Sequence, residues 1–272
     1  MIFTKNQIKK ISTYYNVNGF VIIKNFFKSR YIENIKHNLL LNTQNKKGNF
    51  FYYENSKDHK KILRRIEKIS DFSKSAKKLI NSTKIIKLIN EISIKKNILF
   101  KDKLNFKYPG GAGYMPHIDG HFFWKDKHNK LENGWSKYSN SFTNLVIPLE
   151  KSTVKNGCLY VAKKKDTQKL GDNWLSITQK LEKNSPNIKK KDLKKFIFKK
   201  IVLNTGDILI FDWKCAHYSK ENNSNDSRMI FYSTYCEMNK KINNNDFRKA
   251  YYRDKEHSKN NKKTKSLQFT KI

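Results

Sequence analysis

The chain has 272 residues, enough to bury a sizeable core, and its 37% hydrophobic and 13% aromatic content excludes a disordered polypeptide. It carries 58 lysine and arginine residues against 23 acidic ones, a net charge of +35, yet only six of the basic residues are arginine (Arg30, Arg64, Arg65, Arg228, Arg248 and Arg253). Lysine, asparagine and isoleucine rise together, as AT-rich codons dictate in any protein, so the dispersed lysines read as a solvated surface rather than a nucleic-acid groove.

Residues 4–14 are expected to form a short amphipathic helix, because Thr4 can cap it and Ile8 and Ile11 recur at helical spacing. Asn18-Gly19 turns into Phe20-Val-Ile-Ile23, a β-branched apolar run that reads as a buried strand. Residues 28–43 and 72–94 read as helices, the second with an apolar stripe through Ala76, Leu79, Ile80, Ile85, Ile86, Leu88 and Ile89. Residues 1–96 are thus expected to be a helical scaffold with one strand. From residue 97 the pattern changes. Asn97–Tyr108 alternates over its second half with the period of a half-buried strand, and Ser141–Leu149, Gly157–Ala162, Asp207–Asp212 and Met229–Tyr235 follow as short strands. Such a series predicts an α+β, mainly β fold with a jelly roll or barrel over 97–238. The lysine-rich stretch 164–200, interrupted by Asn184-Ser-Pro186, reads as an insertion at the barrel rim, and 239–272 as a basic segment with a frayed end. No linker divides the chain, so one domain over 1–272 is expected.

Two distant segments carry the chemistry: Pro116-His117-Ile118-Asp119-Gly120, and Trp213-Lys-Cys-Ala-His217-Tyr-Ser219, the latter followed by Arg228. Two imidazoles and one carboxylate make the three-point face that non-haem Fe(II) prefers, leaving other coordination positions open. On a strand, residues two apart share a face, so His117 and Asp119 can reach one metal. The glycine-rich loop Tyr108–Tyr114 supplies flexible backbone before them. A lone His-x-Asp is common by chance. What singles this one out is its combination with Gly206-Asp207, an apolar strand, His217 and then Arg228, whose planar fork can hold the remote carboxylate of 2-oxoglutarate in a two-point pair. Lys107 precedes the glycine loop as a candidate anion-binding group.

With these segments in place the sequence resembles the phytanoyl-CoA dioxygenase family of Fe(II)/2-oxoglutarate-dependent oxygenases. Asn18-Gly-Phe-Val-Ile-Ile-Lys-Asn-Phe-Phe27 is similar to the family's opening strand, Phe106 through Asp119 to its first metal segment, Asn156-Gly-Cys-Leu-Tyr-Val-Ala162 to its Asn-Gly-Cys-Leu strand, and Gly206 through His217, Ser219 and Arg228 to its second metal segment. The resemblance implies a cupin-like double-stranded β-helix, Fe(II) held by His117, Asp119 and His217, and 2-oxoglutarate as co-substrate anchored by Arg228 with help from Ser219. One departure is Lys163-Lys-Lys-Asp-Thr167, where the family often carries a Pro-Gly-Ser-His turn. Halogenating relatives have a small residue at the carboxylate position, so Asp119 implies hydroxylation. Tyr114, His121 and Phe122 are candidate substrate contacts. The Lys107–Asp119 segment looks especially like relatives that act on aminoalkylphosphonates.

Cys158, Cys215 and Cys236 show no metal spacing and cannot all pair, which fits a reducing compartment. The expected protein is cytoplasmic, a monomer or homodimer, with a small-molecule substrate and dioxygen as partners and no membrane span. The alternatives that the charge keeps open are a 2-oxoglutarate oxygenase acting on nucleic acid and a non-enzymatic basic nucleic-acid-binding protein.

Overall fold

A computed structural model describes residues 3–43, 50–55, 61–121, 123–126, 128, 130–169, 188–238 and 245–260. Helix α1 (Lys5–Asn18) begins where the sequence places it. The Thr4 hydroxyl accepts from the Gln7 N–H while the Gln7 side chain accepts from the Thr4 N–H, and the helix runs on to Gly19, in the left-handed conformation. Strand β1 (Phe20–Ile23) and helix α2 (Ser29–Thr43) follow as expected. The single helix expected over 72–94 is two, α3 (Lys74–Ile80) and α4 (Thr83–Ser93). Asn81 and Ser82 leave the helical path, and the Ser82 hydroxyl accepts from the Ile85 N–H to start the second helix.

A larger correction concerns the first hundred residues, which hold more than one strand. β2 (Phe51–Asn55) pairs with β3 (Lys61–Glu67), and β3 pairs with β4 (Asn97–Lys107). The sequence hid β3 because its charged residues do not alternate against water: Arg65 and Glu67 lie in the register that faces the molecular interior. Beyond β4 come β5 (Tyr114–His117), a small hairpin of β6 (Phe123–Lys125) and β7 (Leu131–Asn133), then β8 (Phe142–Pro148), β9 (Leu159–Ala162), α5 (Lys164–Gln168), β10 (Phe198–Ile201), β11 (Ile208–Asp212), β12 (His217–Ser219), β13 (Arg228–Glu237) and α6 (Asn245–Asn260).

The strands form a seven-stranded sheet in the order β1-β11-β8-β13-β4-β3-β2 and a four-stranded sheet in the order β10-β9-β12-β5, every pairing antiparallel. Phe20, Val146, Leu159, Val161, Ile201, Leu209, Phe211 and Ile230 form one cluster between the two sheets. The other face of the large sheet packs its Leu104, Phe106, Leu145, Ile147, Ile208, Ile210 and Phe231 against the helices α1 to α4. Both faces are therefore covered, which is why Ile208–Phe211 of β11 and Met229–Tyr232 of β13 read as unbroken apolar runs. This is the jelly-roll core with its helical scaffold.

Two boundaries need correcting. The stretch 164–200 does not end as an insertion: Phe198–Ile201 is a strand of the small sheet, paired with β9. It reads as polar because Lys199 and Lys200 are exposed on a short edge strand. Within the same stretch, residues 170–187 lie outside the described residues. The segment 239–272, expected as a basic tail, contains α6, which buries Phe247, Tyr251 and Tyr252 against Phe100, Trp135, Tyr138 and Phe142. The frayed end expected there, 261–272, lies outside the described residues. No described helix is long and apolar enough to cross a membrane.

Candidate metal centre

The register of the small sheet builds the centre. His217 on β12 is paired directly with His117 on β5, so the two rings meet, with centroids 4.3 Å apart. β5 ends at His117, and Asp119 follows just past the strand end. The ligand-type atoms of His117, Asp119 and His217 all lie within 4.8 Å of one another. His117 Nε2 is 4.0 Å from Asp119 Oδ1, and His217 Nε2 is 3.8 Å from Asp119 Oδ2.

Each ring is locked from behind. His117 Nδ1 lies 2.7 Å from the Met115 carbonyl, and His217 Nδ1 lies 3.0 Å from the Cys215 carbonyl. A carbonyl oxygen only accepts, so both Nδ1 atoms carry the proton and both Nε2 lone pairs point into the centre. Asp119 is held in turn: Asn144 Nδ2 donates to its Oδ2 at 2.9 Å, and Thr234 donates to Asn144 Oδ1 at 2.7 Å. Burial pushes the His117 pKa down to about 3, with His217 adding to the effect, so the imidazole stays neutral. Burial alone would raise Asp119, but His217, Lys103, His117 and Lys101 outweigh it and hold the carboxyl at about 2. Two neutral imidazoles and one carboxylate, orientated by hydrogen bonds to their rear atoms, fit a divalent metal.

Arg228, at the head of β13, is buried, and its Nε and Nη1 have no acceptor among the described residues. Its register partner is another cation, Lys107. Lys107 Nζ donates to Ser219 Oγ at 2.9 Å and to the Gly157 and Lys220 carbonyls. Burial, with Arg228 and Arg64 adding to it, lowers the Lys107 pKa to about 6. The unused Arg228 donors, with Lys107 beside them, suit a carboxylate. Gly157 is required beside this pair, since a Cβ there would stand 2.4 Å from the Lys220 carbonyl and 3.0 Å from Lys107 Nζ. The expected flexibility of the Tyr108–Tyr114 loop is likewise a matter of fit: a Cβ at Gly113 would stand 2.3 Å from the Ser219 carbonyl.

The family model of phytanoyl-CoA dioxygenase matches residues 15–230. The chain belongs to the phytanoyl-CoA dioxygenase family. As a member it is an Fe(II)/2-oxoglutarate-dependent dioxygenase, with dioxygen and 2-oxoglutarate as co-substrates. Over 258 residues it is 28% identical to the 2-aminoethylphosphonate dioxygenase of uncultured bacterium HF130_AEPn_1, covering 93% of this chain and 87% of the relative. It is 27% identical over 194 residues to the methylphosphonate hydroxylase of Gimesia maris, covering 71% of this chain and 65% of that one. Among solved structures, the non-heme alpha-ketoglutarate-dependent epimerase SnoN from nogalamycin biosynthesis aligns with a TM-score of 0.67 at 12% identity, covering 86% of this chain and 84% of that one, which shows the shared fold.

The other family-type residues fall in different places. Tyr114 receives a hydrogen bond from Arg64 Nε at 3.1 Å, and the Arg64 guanidinium lies over its ring. Burial would raise the Tyr114 pKa, but Arg65 and Arg64 prevail and lower it. His121 is buried at 2% exposure, so it is neither a rim residue nor a solvated one. The side chain of Phe122 lies outside the described residues. Sequence reasoning missed Asn144 and Thr234, which hold Asp119, and the inward-facing cations Arg65 of β3 and Lys101 and Lys103 of β4. The signal for Asn144 was a polar residue inside the apolar strand Phe142–Pro148. For the lysines it was the alternation of β4, whose polar side turns inward.

Proposed function

We propose that the protein hydroxylates a small phosphonate, with His117, Asp119 and His217 holding Fe(II) and Arg228 anchoring 2-oxoglutarate. The observation that carries the metal assignment is the convergence of two Nε2 lone pairs and one carboxylate within 4.8 Å, with both Nδ1 protons committed to carbonyls. When bound, Fe(II) supplies activation of dioxygen coupled to decarboxylation of 2-oxoglutarate, so that one oxygen atom ends in the hydroxylated substrate and one in succinate. Arg228 supplies two-point recognition of the far carboxylate, and Lys107 fixes the Ser219 hydroxyl toward the same position. Asn144 keeps Asp119 from rotating.

The phosphonate reading is supported by the names of two relatives and by the basic lining beside the centre. Its test is anaerobic loading with Fe(II) and 2-oxoglutarate, exposure to dioxygen, and measurement of succinate with 2-aminoethylphosphonate, methylphosphonate or acyl thioesters present. Succinate release stimulated by a phosphonate and matched by hydroxylated product is expected. Stimulation by a thioester alone sinks the phosphonate reading and leaves the oxygenase in place.

A further inference from the structure

Strand β4 turns Leu104 and Phe106 to the helices, so the alternate residues Lys101, Lys103, Asn105 and Lys107 face the space between the sheets. Register places Glu67 and Tyr232 on either side of Lys103, Arg65 and Ile230 on either side of Asn105, and Thr234 beside Lys101. The Lys101 ammonium lies 4.4 Å from the Trp135 ring centroid, and the Lys103 ammonium lies 4.9 Å from that of Tyr232. Among the described residues neither ammonium has a hydrogen bond or an ion pair. Arg65 Nε and Asn105 Oδ1 are also buried without a partner, and Arg65 Nη1 reaches Glu67 only at 3.4 Å. Glu67 itself is taken by Lys255.

Among the described residues Glu67 thus pairs with Arg65 and Lys255, while the ammonium groups of Lys101 and Lys103 have no ion pair. Burial brings the Lys103 pKa down to about 7, with Arg65 and Lys101 adding to the effect and Asp119 and Glu67 opposing it only in part. Asn144, which bonds to Asp119, pairs in register with Thr234, and Thr234 with Lys101, so this row of inward-facing side chains leads to the metal centre. Asp119 attracts these lysines through space but does not cancel the excess, because its oxygens lie against the two histidines and Asn144 and form no ion pair with Lys101 or Lys103 among the described residues. The co-substrate does not compensate it either, since Arg228 and Lys107 form a separate pair farther along the same strands. What remains is an inward-facing wall with unspent N–H donors and surplus positive charge, for which a tetrahedral dianion supplies three acceptor oxygens.

We propose that Lys103, Lys101 and Arg65 recognise the dianionic head of the substrate, a phosphonate or phosphate-ester oxyanion, and hold its carbon chain toward the metal centre. This rests on the hydroxylase reading for its role in catalysis, but not for the binding itself.

The test is calorimetric titration of the full-length, metal-free protein with methylphosphonate, inorganic phosphate and acetate, together with anaerobic titration of the Fe(II)-loaded protein with 2-oxoglutarate. Wild type is expected to bind methylphosphonate saturably and at least roughly tenfold tighter than acetate, given the strength of charged hydrogen bonds. Tighter binding of methylphosphonate than of phosphate assigns a phosphonate head, and the reverse assigns a phosphate ester. Lys103→Met is expected to weaken methylphosphonate binding by roughly tenfold or more, to leave 2-oxoglutarate binding unchanged, and to keep or raise the melting temperature, because it removes a partly buried charge that has no ion pair among the described residues. Lys103→Arg, which keeps the charge, retains binding.

Wild-type affinity for methylphosphonate in Lys103→Met overturns the proposal, as does equal affinity for acetate. A Lys103→Met protein that loses 2-oxoglutarate binding instead, or that melts several degrees lower, places Lys103 in another role and also overturns it. If wild type binds methylphosphonate through Lys103 but fails to bind 2-oxoglutarate with Fe(II), the anion site stands and the hydroxylase reading falls.

Discussion

The two histidines of the centre differ from ordinary buried histidines in where their protons sit. With Nδ1 of each donating to a carbonyl two residues earlier in the chain, Nε2 is left as a lone pair facing Asp119. Substituting His117, Asp119 or His217 by alanine is therefore expected to abolish stoichiometric Fe(II) binding, measured by anaerobic metal titration, with the far-ultraviolet spectrum unchanged. Asn144→Leu, which removes only the support of Asp119, should weaken the metal by about 10- to 100-fold. Full affinity in that variant would mean Asp119 is held by other contacts. At Arg228, a lysine keeps the charge and loses the fork, so Arg228→Lys is expected to weaken 2-oxoglutarate by roughly tenfold or more without altering metal content. The residue types of this site were legible in the sequence because few side chains can ligate iron. Asn144 was not, since an amide inside an apolar strand has many structural uses and only its 2.9 Å contact with Asp119 gives it this one.

Among the elements, β3 and α6 were the least visible in the sequence, and one contact joins them. Lys255 of α6 and Glu67 of β3 are both buried, at 3% and 2% exposure, and paired. Removing one member of such a pair leaves the other charge uncompensated and costs on the order of 3–5 kcal/mol, so Glu67→Gln should lower the melting temperature substantially. Burial alone would raise the Glu67 pKa, but Lys255, Lys101 and Arg65 outweigh it and hold the carboxyl well below the usual carboxylate range. A depressed folded-state pKa stabilises the fold above the unfolded value of about 4.3 and is lost as pH falls below it. Wild-type stability should thus drop between about pH 5 and lower pH, and Glu67→Gln should flatten that part of the curve in pH-dependent chemical denaturation. A Glu67→Gln curve as steep as wild type would assign the acid sensitivity to other carboxylates.

For the whole molecule, the +35 charge divides into two populations. Most lysines are solvated, as at Lys189, Lys190, Lys191, Lys194 and Lys195, all exposed around the short helical turn before β10. Screening at physiological salt makes such exposed charges weak contributors to a buried site. Replacing these five by glutamine is expected to leave turnover of a small substrate within about twofold of wild type. Exposed single charges are worth roughly 0–1 kcal/mol each, so stability should change little as well. An oxygenase acting on nucleic acid would instead lose affinity with each phosphate contact removed and show a shallower salt dependence. Steady-state kinetics beside salt-dependent DNA and RNA binding distinguishes the two.

The sequence by itself determined the mainly β core, the early capped helix and the order of the two segments that meet at the candidate metal centre. Each rests on local chemistry: the Thr4–Gln7 capping box, the apolar run Ile208–Phe211, and a His-x-Asp placed ahead of a distant His and Arg. The tertiary structure alone decided which way the polar faces point. Alternation along Lys101, Lys103, Asn105 and Lys107 marks a strand with one polar side, but period 2 is the same whether that side meets water or a cavity. Only the packing of Leu104 and Phe106 on the helices turns those lysines inward, and only cross-strand register brings Arg65 and Arg228 to them. Burial then gives these charges a use that a solvated lysine lacks, because a cation out of water is stabilised by the anion it can bind.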